Sequence, residues 1–436
     1  MSSIAVQRLS ARFPALQSYD FRRLFINGFF STGSRWAQVL ARGWLVHDLT
    51  GGSTAAVGWV TFASFAPFVV VGPVVGALAD RFDRRRVLIF ATLFGVLGAT
   101  TLAVMTITDV VQVWHVGVLA FATGSAQAAS VPSRQALIAN VVPDDHLLNA
   151  IALGGISQHG SRVIGPLFGA AFLKQFGVGS VFVLSSVLLT LGLLDIYRLK
   201  YRFDPTTRTQ TAPGLSAAIK RVGSDLAHAG RYVRQDRRLT TVIGLVAVHC
   251  SFTMAFDSMM PTMAETVGGS ATLYSSILVG LGTGALIGTL GVSQLGDTSL
   301  RGTMFALSGL GSGAAMLILG TATTPAVVVF GAGLAGLTQA SYMTMSATLV
   351  QKVVVDDFRA RVMSLYIMIA AGHMAFMNLG FGRVAEVVDV RILLIVPGIA
   401  WMVVFAAAGF TVAEAKSIVV KGNFTNSQPP AIPAEI

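Results

Sequence analysis

The sequence predicts an all-α membrane protein in which twelve transmembrane helices form two pseudo-symmetric halves of six. Three observations carry this. Of 436 residues, 53% are hydrophobic and only 12% charged, with a mean hydropathy of +0.70, a composition that cannot clothe a soluble surface. Apolar runs of about 18 or more residues recur along the chain, each long enough to cross a hydrocarbon core of roughly 30 Å as a helix. The chain also repeats itself at an offset of 212 residues, which lays "GSAQA" (124–128) on "GLTQA" (336–340) and "VVPDD" (141–145) on "VVVDD" (353–357). The same offset pairs Gly72 with Gly284, Gly76 with Gly288 and Gly160 with Gly372. A constant offset across several spans implies two halves of the same orientation, related by an axis along the membrane normal.

In chain order the spans fall near 22–48, 55–79, 87–108, 112–140, 149–174, 178–199, 239–264, 271–295, 303–322, 325–354, 359–384 and 391–412. The domains follow as 1–199 for the first half, 200–238 for a cytoplasmic linker, 239–412 for the second half and 413–436 for a cytoplasmic tail. The first span starts too late and runs too long for a signal peptide, and is read as retained. Lys and Arg set the orientation: Arg81, Arg84, Arg85 and Arg86 lie after span two, and ten basic residues lie between Arg198 and Arg238, whereas the opposite loops hold only Lys174, Arg383 and Arg391. Both termini are therefore expected in the cytoplasm. The net charge of +11 suits an anionic leaflet better than a nucleic acid. In the linker, Leu215, Ile219, Val222, Leu226 and Val233 recur near helical spacing among basic residues, which predicts an amphipathic helix lying on the cytoplasmic membrane face.

Ionisable groups inside spans are costly and are read as functional. Span one carries Arg35 and Arg42 seven residues apart, on one stripe with Ser31 and Gln38. That stripe must face a cavity. Gln127 in span four and Gln339 in span ten mark symmetric mid-depth points, and Arg162 lies at similar depth in span five. Span seven holds the deepest carboxylate, Asp257, on one expected face with His249 and Thr253. Arg35, Gln38, Gln127, Arg162, Thr253 and Gln339 are the expected cavity residues. Arg42 and Asp257 are expected to pair when the outer side is closed and to separate on opening, which would couple protons to transport. Buried pairing or interhelical hydrogen bonding is the alternative for each of these groups. Methionines 254, 259, 260 and 263 either line an adaptable pocket or fill core space.

Between spans two and three stands "GALADRFDRRRVL", Gly76 to Leu88. On this motif, with "FRRLF" (21–25), "PSRQALI" (132–138) and "LLNAIAL" (147–153), the chain resembles the major facilitator superfamily across all twelve spans. Asp83 replaces a signature glycine, which is similar to the bacterial drug- and siderophore-exporter branch, of the enterobactin-exporter-like, transmembrane secretion effector type. The resemblance implies the major facilitator fold, rocking of two halves about a central site, and a conformational latch formed by Gly76, Asp80, Arg81 and Arg84. Gly165, Pro166 and Gly169 in "GSRVIGPLFG" resemble the tail of the superfamily's antiporter motif; close helix packing is the equal alternative.

No nucleotide loop, metal-ligand cluster or nucleophile–base constellation is present in the sequence, so no enzyme, cofactor or metal is expected. Cys250 is the only cysteine, which excludes an internal disulfide. The expected function is a secondary active exporter of small amphipathic molecules across the bacterial cytoplasmic (inner) membrane by proton antiport, as a monomer whose partners are substrate, protons and membrane lipids. Export of a siderophore or another anionic metabolite is the alternative, because three cavity arginines face one aspartate; a lipid-handling transporter is a third reading.

Overall fold

The computed structural model describes residues 13–78, 83–201, 215–294 and 300–421. After a 3-10 turn at Pro14–Gln17, the described chain is almost wholly helical. The helices are α1 (Tyr19–Leu49), α2 (Thr54–Leu78), α3 (Arg84–Ile107), α4 (Val113–Val141), α5 (Asp144–Phe176) and α6 (Val178–Tyr197). Then come α7 (Leu215–Gln235), α8 (Arg237–Phe252), a 3-10 turn at Asp257–Met259 and α9 (Met260–Thr266). The remainder are α10 (Ala271–Ser293), α11 (Leu300–Thr321), α12 (Pro325–Val353), α13 (Asp356–Val384), α14 (Val390–Thr411) and α15 (Ala413–Lys421).

Side-chain oxygens start several of these helices by accepting otherwise unpaired N–H groups. Ser18 accepts from Phe21, Asp83 from Arg85, Asp236 from Arg238 and Leu239, and Asp389 from Arg391. Gly177, at φ +77°, turns the chain directly from α5 into α6, a backbone conformation that favours glycine.

Nine segments among the described residues are long and apolar enough to cross a membrane, α8 to α9 being one of them. The long helices α1, α4 and α5 are not among the nine. They carry Arg35, Gln38 and Arg42, then Gln127 and Arg134, then His159 and Arg162. Polar groups inside a long helix mark the wall of an internal space, since lipid cannot solvate them.

Helices α1 to α6 pack chiefly on one another: α1 on α5 and α6, α2 on α4, and α3 on α4 and α6. In the second set, α10 packs on α12, α11 on α12 and α14, and α8 on α13. Two seams join the sets, α2 against α13 and α5 against α10. Glycines permit both seams: a Cβ on Gly58 would lie 2.7 Å from the Asn378 carbonyl, and one on Gly282 would lie 2.6 Å from that of Arg162.

Two expectations change here. Span seven is not one helix. It stops at Phe252 and resumes at Met260, because Pro261 fits the first turn of a new helix but not the interior of a continuous one. His249, Thr253 and Asp257 therefore do not share a helical face. The freed backbone is met from neighbouring helices, as irregular chain at membrane depth requires. Gln339 Nε2 donates to the Thr253 carbonyl at 2.5 Å, and Asn378 Oδ1 accepts from the Ser258 N–H at 3.0 Å. The second change concerns α7, which docks on protein. Ala229 and Tyr232 are buried; Tyr232 stacks on Phe358 with ring centroids 4.7 Å apart, and Asp225 pairs with Arg361 at 3.3 Å.

Candidate functional site

The polar stripe of α1 faces a cavity of about 110 Å³ enclosed with α2, α3 and α4. Ser31, Arg35, Gln38 and Arg42 form its α1 wall, and Thr123, Gln127, Ser130 and Arg134 its α4 wall. Small residues bring α1 close to its neighbours: a Cβ on Gly165 would sit 2.5 Å from the Gly33 carbonyl, and one on Gly169 would sit 3.1 Å from Leu40. The carbonyl of Pro166, between them, accepts a hydrogen bond from Ser275 of α10 at 3.0 Å. In this structure the "GPLFG" segment packs α5 against both helix sets.

The stripe is internally braced. Arg42 Nη2 donates to Gln38 Oε1 and, at 3.0 Å, to the Thr123 hydroxyl, while Gln38 Nε2 donates to Ser34 at 3.1 Å. Among the described residues Arg35 has neither a hydrogen bond nor an ion pair. Its guanidinium carbon lies 5.8 Å from the ring centroids of both Trp36 and Phe68.

A second cavity of about 60 Å³ adjoins the first across the two helix sets. Arg35, Arg42 and Asp257 line it, with Tyr274 of α10. The expected Arg42–Asp257 ion pair is not formed: the helix break turns Asp257 out of register, and Arg42 is held by Gln38 and Thr123. The charges near enough to act on Asp257 are the guanidiniums of Arg162 and Arg35. Arg162 lines neither cavity, and stacks at 4.4 Å over the Trp36 ring.

Other expected residues take structural places. Thr253 is buried and its hydroxyl donates to the His249 carbonyl at 2.9 Å. Gln339 holds the break. Met259, Met260 and Met263 lie in a core cluster with Leu40 and Leu281. Arg84 donates to the Ala136 carbonyl at 3.5 Å, Gly76 lies within α2, and Asp80 and Arg81 lie outside the described residues. Sequence reasoning missed Arg134, although it stands inside "PSRQALI"; its Nη1 donates to the Leu24 carbonyl at 3.3 Å. Its depth, some twenty residues into α4, was the available signal.

At the end of the bundle that carries the α1–α2 turn, polar contacts join the two sets. Glu386, in the turn after α13, accepts from the Ala55 N–H and the Ser53 hydroxyl, both at 2.9 Å, and so caps the first turn of α2. These bonds hold its carboxyl below the usual carboxylate range. Thr54 meets Thr262 at 2.8 Å, and His47 Nε2 lies 3.0 Å from Glu265 Oε2.

Comparison with known proteins starts from the family level: residues 10–429 match the transmembrane secretion effector family of MFS transporters. The MFS-type transporter YfiS of Bacillus subtilis (strain 168) is 23% identical over 276 residues, 63% of this chain and 62% of that one. The chain thus aligns with under two thirds of that relative's length. Macrolide efflux protein A of Streptococcus pyogenes is 21% identical over 325 residues, 72% of this chain and 76% of that one. Among solved structures, the nucleoside transporter NupG superposes with a TM-score of 0.68 at 12% identity, covering 89% of this chain and 98% of that one; this likeness is one of fold alone. With a family match that takes in nearly the whole chain, on a fold shared with solved transporters, the protein belongs to the transmembrane secretion effector family of MFS transporters, and it is a transporter and not an enzyme.

Proposed function

We propose that the protein exports small amphipathic, drug-like molecules across the bacterial cytoplasmic membrane by alternating access, driven by proton antiport. Twelve spans in two halves, with both termini in the cytoplasm and the α1–α2 turn outside, form the frame of this reading. The supporting observation is a charged space at membrane depth where Asp257, from the second half, faces Arg35 and Arg42 of the first. The macrolide exporter relative supports drug-like cargo.

In this state the outer end is closed by Glu386, Thr262 and Glu265 on the first half. The cavity of about 110 Å³ is far below the roughly 300–1,000 Å³ of a drug-sized site, so cargo enters only after the halves move apart. Asp257 is the proton-responsive group. Its carboxylate attracts the guanidiniums across the seam, and protonation releases that attraction and favours separation. Asp80 and Arg81, with Arg84, form the cytoplasmic latch of the opposite state.

Proteoliposomes with an imposed pH gradient test this reading, with erythromycin, ethidium and the anion fluorescein as cargo. Gradient-stimulated transport is expected in the wild type and is lost in Asp257→Asn, with cargo binding retained. Stimulation persisting in Asp257→Asn sinks the coupling role. Absence of gradient-stimulated movement of all three compounds sinks the export reading.

A further inference from the structure

Positive charge is left over in the cavity between α1 and α4. Among the described residues its walls carry Arg35, Arg42 and Arg134 and no carboxylate, and the adjoining cavity contributes one carboxylate, Asp257. Three guanidiniums against one carboxylate leave an excess of two positive charges at membrane depth. Arg42 and Arg134 are partly satisfied by Gln38, Thr123 and the Leu24 carbonyl. Arg35 has ring faces beside it at 5.8 Å and shares the adjoining cavity with Asp257, without a hydrogen bond or ion pair among the described residues. Arg42 Nε and the Ser31 hydroxyl are buried on the same wall with no hydrogen-bond partner.

A buried cation without a counter-charge is costly, and so is an unpaired buried donor. A structural role would provide a fixed acid for Arg35, as Asp195 does for Arg23 at 2.7 Å. Among the described residues no acid is paired with Arg35; Asp257 faces it across the seam without an ion pair. The volume of about 110 Å³ equals the share of three to four waters at roughly 30 Å³ each. That is room for a compact oxyanion and too little for a whole amphipathic molecule. A cationic headgroup placed here would meet the uncompensated excess of like charge.

We propose that this cavity binds an anionic group of the cargo, a carboxylate or a phosphate ester. Arg35 takes the group by charge-assisted hydrogen bonds, with Arg42 of α1 and Arg134 of α4 on the walls around it. The proposal rests on the transporter reading and names the chemistry of the cargo: amphipathic anions, not cations. The shared chemistry is the oxyanion, whether free or attached to an apolar body.

Fluorescence anisotropy on the purified full-length protein tests it, with fluorescein, an aromatic dianion, beside ethidium, an aromatic cation. Fluorescein is expected to bind more tightly than ethidium. Arg35→Gln is expected to weaken fluorescein about tenfold or more, the scale of one charge-assisted contact, and Arg134→Gln to weaken it less. Arg35→Lys keeps the charge and retains most of the affinity, and a thermal unfolding scan on each variant separates lost binding from lost folding. Displacement by inorganic phosphate assigns the site to the oxyanion itself, and displacement only by dodecanoate assigns it to an anion with an apolar body. Displacement by neither overturns the proposal, as does fluorescein binding in Arg35→Gln and Arg134→Gln within about twofold of wild type. Gradient-driven ethidium export without fluorescein binding sinks the anion site and leaves the transporter reading. Arginine-dependent fluorescein binding with no export of any probe does the reverse.

Discussion

Gly284→Ala adds one methyl group at the tightest glycine-mediated helix crossing among the described residues. The new Cβ would lie 1.8 Å from the Gly333 carbonyl oxygen and 2.8 Å from both the Gly333 carbonyl carbon and the Leu337 nitrogen. All three are backbone atoms, so no rotamer can relieve the overlap. Ordinary contact begins near 3.4 Å, and α10 and α12 must separate by about 1.6 Å to reach it. Overpacking of this kind costs about 1–3 kcal/mol, here at the upper end because two helices move as bodies. Exchanging glycine for alanine inside a helix returns about 0.5–1 kcal/mol. The net loss is about 2 kcal/mol, or roughly 4–8 °C in Tm at about 2–4 °C per kcal/mol. Gly291→Ala, one to two turns further along α10, meets no atom within 4 Å. The same chemical change there should stabilise by about 0.5–1 kcal/mol. Cys250, the only cysteine and fully buried, makes a thiol-reactive dye a direct reporter of unfolding in detergent. Equal Tm values for Gly284→Ala and Gly291→Ala would refute the claim that backbone contact holds this seam.

Two further outcomes follow from groups outside the cavity. The Glu386 carboxylate caps α2 most strongly when ionised, and its hydrogen bonds lower its pKa below the ordinary 4.5. Its contribution to outer closure is thus complete above that value and lost as pH falls through the lowered one. Spin labels at the exposed Leu49 and Val387, in a Cys250→Ser, Asp257→Asn background, should show a distance unchanged from about pH 8 to pH 5 that widens in stronger acid; Glu386→Ala should widen it throughout, and no widening in that variant removes Glu386 from outer closure. Gln339→Ala leaves the Thr253 carbonyl unpaired at the helix break, a loss of about 1–3 kcal/mol, read in the thiol-dye scan; a Tm unchanged from wild type would mean that the break is held by other groups.

Much of the site was legible in the chain before its fold was known. Arg35, Gln38 and Gln127 line the cavity because a guanidinium or amide within an apolar run must avoid lipid, and helical spacing says which of them share a wall. Arg134 was equally readable by depth, since it falls inside the fourth span at 112–140, but it entered only as part of the motif "PSRQALI". Thr253 and Gln339 are polar at the right depth for a different reason: both serve the interruption of the seventh span, and polarity alone does not separate a cavity wall from a backbone partner. Pro261 was the local mark of that interruption.

The sequence by itself determined the helices, because apolar length and period are local properties that a bilayer rewards wherever they occur. It also determined that α1 could not face lipid. Only the tertiary structure decided which charge meets which. Four residues without helical pitch, Thr253 to Phe256, rotate a carboxylate away from its expected face, and a threonine on α4, far from Arg42 in sequence, occupies the guanidinium expected to pair with it. Side-chain partners depend on the angular setting of each helix against its neighbours. That setting is fixed by glycine contacts such as Gly58 on Gly382 and Gly165 on Gly33, which join residues hundreds of positions apart and leave no trace in the spacing of any one span.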